Sequence, residues 1–332
     1  MRPRLILRWL LSSLILLEWL TPAAGNPRKA ESAFRAGNRF FDTAYFREAV
    51  EMYTRALDQD PSNIKVHYNR ALANEMVDRK AAIRDWEQVL ELTGDNPDWK
   101  AAASQVRERL QTLAKMPSLP DSLQPSNYVP KAGDYYQEVA ESSQGLQFDK
   151  FPVKVFVGSV PENWQRSTRE ALAGWSRVVP LEEVASREAA DIVLSWQSSP
   201  DESGRLAWDK DVIQEEDDGT TSRRKKVAVV MLDTTRNSSE AQKRAAVLHE
   251  IGHALGIQGH SNRSEDVMCD TIDLVVVHET RIVTSVPAAG GSLPGVYPHS
   301  YVPTPPKKLT QRDVNTMIRL YNSPGYLARL DQ

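Results

Sequence analysis

The chain has 332 residues, 41% hydrophobic and 26% charged, ordinary globular usage that excludes wholesale disorder and fibrous structure. Its 41 Lys+Arg against 44 Asp+Glu give a formal net charge of -3, so there is no basic field for a phosphate backbone and no nucleic-acid partner is expected. A single cysteine, Cys269, excludes an intrachain disulfide, and at roughly 150 residues per domain the length predicts two domains.

Arg2, Arg4 and Arg8 precede an apolar stretch from Trp9 to Leu17, followed by Thr21-Pro22-Ala23-Ala24-Gly25. A basic start, a short apolar core and small residues at Ala23 and Gly25 predict a cleavable secretory signal over residues 1–25 and a secreted or periplasmic mature protein. The stretch falls short of the about 20 residues a membrane span needs, and Glu18 interrupts it. An uncleaved anchor is the alternative. No later apolar run is long enough to cross a bilayer, so no span is expected once the signal is removed.

From Lys29 to Met116 the pattern is helical and repetitive. Gly37, Ala49, Tyr53, Ala56 and Pro61 fall at the offsets of a 34-residue helical-hairpin repeat. Ala71, Ala82, Trp86 and Val89 take the places of the first four in a second copy, one residue shorter at the turn. A closing helix follows from Asp98 to Met116, with Lys100, Arg107, Glu108 and Arg109 expected to face outward. Residues 29–116 thus resemble a two-repeat tetratricopeptide (TPR) unit with a cap. The resemblance implies a docking surface for a protein partner or for the rest of the chain; a helical spacer is the plainer reading.

Pro117, Pro120, Pro125 and Pro130 predict an extended, semi-rigid connector within a linker over residues 117–147, whose later part, Tyr135 to Phe148, can wrap the next domain. Strand patterns follow at Val153–Val157, Asp191–Trp196 and Lys226–Leu232, with an amphipathic helix from Trp164 to Val178. The charge run Glu215–Asp218 with Arg223–Lys226 reads as a solvated hairpin tip; calcium is the lesser option there and nothing in the pattern supports it.

Ser238 to Leu255 predicts a helix with Ser238 or Ser239 as N-cap and Gly256 just past its end. It carries His249-Glu250-Ile251-Gly252-His253. Histidines four apart share a helical face, so both imidazoles can reach one cation, while Glu250 lies beside that face. After the Gly256 turn, His260 offers a third imidazole, and Met268 follows eight residues later. Thr310 then predicts the N-cap of a closing helix with Asp313 in the capping-box position and an apolar stripe of Val314, Met317, Ile318 and Tyr321.

His249, Glu250, His253, Gly256, His260 and Met268 resemble the zinc-binding signature and Met-turn of the metzincin metallopeptidases, the matrixin branch in particular. The resemblance is dense over His249–Met268 and thin elsewhere in residues 148–325. Together with the TPR-like unit and the strand–helix order, it points to a multidomain chain, all-α TPR repeats followed by an α/β (α+β) metzincin-like domain, for which the resemblance implies a five-stranded sheet above the active-site helix. It implies one catalytic Zn2+ held by His249, His253 and His260, a zinc-bound water activated by Glu250 as general base, Met268 as the apolar floor, and endopeptidase action on peptide or protein substrates.

Three departures stand out. Ile257, Gln258 and Gly259 intervene between Gly256 and His260 where the family has two residues. Cys269 follows the methionine in place of a bulky side chain, and is expected to be buried and inert. No propeptide cysteine exists, so any latency would fall to the helical domain. An insertion separates Met268 from Leu309; it contains His278 and Glu279, the latter a less favoured alternative third ligand, and Asp273–Ser285 reads as strand. His278, His299 and His67 lack metal spacing. Two other functions fit the same residues: a non-catalytic exported TPR adaptor with a structural zinc site, for which Cys269 would be the fourth ligand, and a zinc hydrolase of a non-protein amide such as peptidoglycan.

Overall fold

The computed structural model describes residues 25–143, 146–197, 227–232, 239–269, 308–323, 325 and 327–330. The signal segment before Gly25, the charge run 215–226, and the insertion with Asp273–Ser285, His278, Glu279 and His299 lie outside the described residues.

The N-terminal half is five helices: α1 (Pro27–Asp42), α2 (Phe46–Leu57), α3 (Ile64–Glu75), α4 (Arg79–Thr93) and α5 (Lys100–Lys115). Polar side chains start three of them. Asn26 accepts from the Arg28 and Lys29 amides, Asn63 from Val66, and Asp78 from Lys80 and Ala81, which satisfies amides that have no intrahelical partner. Helices α1 and α2 form one hairpin, α3 and α4 a second, and α5 packs on α4. The repeat positions carry the packing: Ala49, Tyr53, Ala56, Ala71, Ala82, Trp86 and Val89 are all fully buried. A Cβ on Gly37 would stand 2.5 Å from the Tyr53 ring, so only glycine allows α1 and α2 this close.

Arg109 departs from expectation. Its side chain is buried, donating from Nε and Nη2 to the two oxygens of Glu75 at 2.8 and 2.7 Å, while Trp86 Nε1 donates to the same carboxylate at 3.0 Å. The spacing Val106, Arg109, Leu113 places it on the buried stripe of α5, and the buried Glu75 supplies the charge that keeps it there.

A second ion cluster joins α3 to α4. Arg70 reaches Asp85 from Nε at 2.9 Å and from Nη2 at 2.6 Å, and Asn74 donates to it at 2.9 Å. Burial alone would raise the Asp85 carboxyl, but the His67 ring 3.6 Å away and hydrogen bonds from Arg70 and Asn74 hold it below its ordinary value. A depressed folded pKa contributes stability above the unfolded value that is lost as pH falls through the folded one. The part of the urea midpoint that Asp85 contributes, read as the difference between the parent and Asp85→Asn, should therefore stay constant from pH 7 to about 5 and be lost below about pH 4.

The Pro-rich segment is not an extended connector. It forms three single 3-10 turns, Asp121–Leu123, Pro125–Asn127 and Pro130–Ala132, then the short helix α6 (Tyr136–Val139). Proline opens the second and third turns, where its fixed φ suits the turn and no amide is needed. The segment wraps the last helix, α9 (Gln311–Asn322): Asn315 accepts from the Val129 amide and donates to the Val129 and Gly133 carbonyls, and Asn322 donates to Leu123 O. Leu123, Tyr135 and Val139 are fully buried. One apolar core runs without a break from Phe34 in α1 through this segment to Tyr321 in α9.

The C-terminal half holds four parallel strands in the order β2-β1-β3-β4: β1 (Val153–Val157), β2 (Leu181–Glu183), β3 (Ile192–Gln197) and β4 (Val227–Leu232). The fifth strand that the sequence resemblance implies is not among the described residues. Helix α7 (Gln165–Ser176) crosses between β1 and β2, as parallel pairing requires. It packs on α8 (Glu240–Ala254), where Trp175 Nε1 donates to Leu248 O at 2.7 Å. Ser239 and Gln242 form a capping box on α8, and Thr310 and Asp313 form one on α9. No helix among the described residues is long and apolar enough to cross a membrane.

Candidate metal centre and its supports

His249 and His253 lie one turn apart on α8, with their Nε2 atoms 3.1 Å apart and their rings edge to face. Each ring's other nitrogen faces a backbone carbonyl: His249 Nδ1 meets Val267 O at 2.9 Å, and His253 Nδ1 meets Ile257 O at 2.7 Å. A carbonyl can only accept, so Nδ1 carries the proton in both rings. The two Nε2 lone pairs then converge, an arrangement that repels itself unless a proton or a metal cation lies between them.

The chain supplies a third imidazole at the same place. His260 has its ring centroid 5.2 Å from each of the other two, and the ligand nitrogens of all three lie within 4.8 Å of one another. Two glycines make this geometry accessible. Gly256 (φ +112°) ends α8, and Gly259 (φ +96°) turns the chain back despite the extra residue between Gly256 and His260. Three neutral imidazoles from one helix and one turn are a borderline-soft nitrogen donor set that suits zinc and leaves a coordination position open. Among the described residues no other group of three or more His, Cys, Asp or Glu converges in this way.

Glu250 sits between the two helical histidines in sequence and is buried, outside the close donor group. Met268 is fully buried beneath α8, and a Cβ on Gly252 would come within 2.4 Å of its Sδ and 3.1 Å of Trp175. Gly252→Ala should therefore displace the methionine and cost about 1–3 kcal/mol as overpacking. A urea midpoint unchanged from the parent would contradict that. Cys269 is buried, and its thiol meets Ser264 O at 3.7 Å.

A layer that spacing does not announce holds these groups. Asp313, buried in the first turn of α9, accepts from the Val267 amide at 3.1 and 3.2 Å, from Tyr135 Oη at 2.8 Å and from Thr310. Burial pushes its carboxyl up, opposed by those same hydrogen bonds. Burial, with Asp313 beside it, also raises the Tyr135 phenol well above its ordinary value, so Tyr135 stays a donor. The Val267 peptide links this layer to His249, its amide on Asp313 and its carbonyl on the ring. Asp266 accepts from Ser261 Oγ, Thr310 Oγ1 and Arg312 Nε, which ties the residue after His260 to α9. The capping box at Thr310 was the one sequence signal for any of these residues.

A parallel sheet, a helix bearing two histidines, a glycine turn to a third and a methionine floor together resemble the layout of a metzincin-like domain. Comparison with known proteins agrees: residues 158–285 match the family model described as matrixin, a zinc-metallopeptidase family. A solved structure of the first TPR of Spaghetti (RPAP3) bound to an HSP90 peptide aligns at 22% identity, covering 27% of this chain and 98% of that one, with a TM-score of 0.16. No curated protein matches the chain.

Proposed function

We propose that the protein is an exported zinc endopeptidase that hydrolyses internal peptide bonds of protein substrates. The observation that carries this reading is the pair of Nε2 atoms 3.1 Å apart, with both Nδ1 atoms committed to carbonyls and a third imidazole beside them. His249, His253 and His260 hold the ion, and Val267 O and Ile257 O fix the tautomers of the first two. Zinc, when bound, supplies Lewis acidity that lowers the pKa of a water toward about 7 and polarises a carbonyl. Glu250 takes a proton from the attacking water and returns it to the departing amine, the work of a general base and then a general acid. Met268 and Trp175 keep the underside of α8 apolar and packed.

The basic and apolar start of the sequence supports export, with cleavage near Gly25. The helical unit docks protein clients or governs access to the cleft; the core it shares with the peptidase half gives it a physical route to the site. Purified mature protein should carry one zinc per chain by metal analysis and cleave casein or a peptide library. A chelator should abolish cleavage and added zinc restore it. Metal-free protein, or zinc-loaded protein that cleaves no peptide, would refute the proposal.

A further inference from the structure

The turn that delivers His260 has no secondary structure of its own, and its middle residue, Gln258, is gripped from a distant part of the chain. Ser143, immediately before the peptidase half and fully buried, accepts the Gln258 amide on Oγ at 2.8 Å and donates from the same hydroxyl to Gln258 O at 3.3 Å. Ser142 Oγ donates to that carbonyl as well. Gly259 lies flat against this segment: a Cβ there would meet Ser142 Oγ at 3.4 Å, Val139 Cγ1 at 3.5 Å and Glu138 O at 3.8 Å. On its other side the turn is tied to α8, because Gln258 Nε2 donates to His253 O at 3.1 Å and Ile257 O holds His253 Nδ1.

We propose that Ser143, assisted by Ser142, is a positioning residue for the third zinc ligand: the segment joining the helical unit to the peptidase half supplies the clamp that aims His260 at the ion. The inference rests on the zinc-peptidase reading above. Its physical basis is that backbone N–H and C=O groups shielded from water must find partners, and Gln258 is half-buried with its amide turned onto the buried Ser143 hydroxyl. In a turn one residue longer than the family spacing, the Gln258 amide finds its partner in the Ser143 hydroxyl 115 residues away, and the Gln258 carbonyl is shared between Ser143 and Ser142. With that hydroxyl gone, the Gln258 amide must seek water and its carbonyl keeps only Ser142, so the turn shifts outward and His260 moves with it. The segment is itself anchored, since Val139 O accepts from Ser143 N at 3.0 Å and Tyr136 Oη donates to Ser323 O and Gly325 O beyond α9. The metal site is therefore incomplete in a fragment that begins at Phe148, although that fragment contains all three histidines.

The test uses the full mature chain as parent, Ser143→Ala and Ser142→Ala. Zinc dissociation constants come from competition with a chromophoric chelator, and the number of imidazoles on the metal from X-ray absorption. Ser143→Ala should bind zinc about 10–100-fold more weakly, the scale of outer-shell losses, with two imidazoles on the metal instead of three. Ser142 is exposed and its alanine variant should fold as the parent does, with zinc about 3-fold weaker for one lost hydrogen bond. If Ser143→Ala fails to fold, the Ser142→Ala constant decides alone. Parent-like affinity with three imidazoles in every folded variant would overturn the inference and leave the peptidase reading standing. A parent that binds no zinc would remove both.

Discussion

Glu250→Ala is expected to abolish turnover while leaving the metal in place. Positioned proton transfer contributes typically 10²–10⁴-fold, so kcat/KM on a peptide should fall by about that factor. Zinc stoichiometry should stay at that of the parent, because the converging nitrogens belong to His249, His253 and His260 and Glu250 is not among them. His249→Ala should behave differently. It removes one of the two Nε2 donors, so zinc is lost together with activity and chelator-free metal analysis separates the two variants. An alanine variant at 250 that retains both zinc and parental kcat would sink the assigned role.

Much of this architecture is written in short-range pattern. The second hairpin repeats the first with Ala71, Ala82, Trp86 and Val89 in matching places, and all four are buried. Helices α8 and α9 begin at Ser239 and Thr310 because a hydroxyl there meets Gln242 or Asp313 three residues on, a local exchange that spacing reveals. Two imidazoles four residues apart on a helix can only point the same way. Long-range partners leave no such trace. Tyr135 and Asp313 are 178 residues apart, and Ser143 and Gln258 115 apart, so no periodicity marks their meeting. The spacing of the linker prolines predicts stiffness. In the fold they seed 3-10 turns, since a chain that can bury Leu123 beside α9 and Tyr128 against Phe46 gains more than one left extended in water.

Arg109 makes the same point energetically, and its removal should be the costliest single change in the helical half. Charge alone predicts it at the surface; burial on α5 opposite Glu75 makes it half of an ion pair with 4% and 0% side-chain exposure. Deleting one partner of such a pair strands the other charge in a medium that solvates it poorly, typically at a cost of about 3–5 kcal/mol. Arg109→Met preserves much of the apolar stem and should lower the urea-unfolding free energy by about that amount. Adding Glu75→Gln should recover most of the loss, because the amide oxygen still accepts from Trp86 Nε1 and no buried charge remains. Arg109 also donates from Nη1 to Gly325 O at 2.8 Å, and Asn69 in α3 holds both the amide and the carbonyl of Leu330 at 2.8 Å. Loss of the arginine should thus loosen the residues after α9, and the Leu330 amide should exchange faster with solvent in Arg109→Met than in Asp85→Asn. Equal exchange in the two would confine the effect of Arg109 to the helical unit and break the link drawn between that unit and the residues beyond α9.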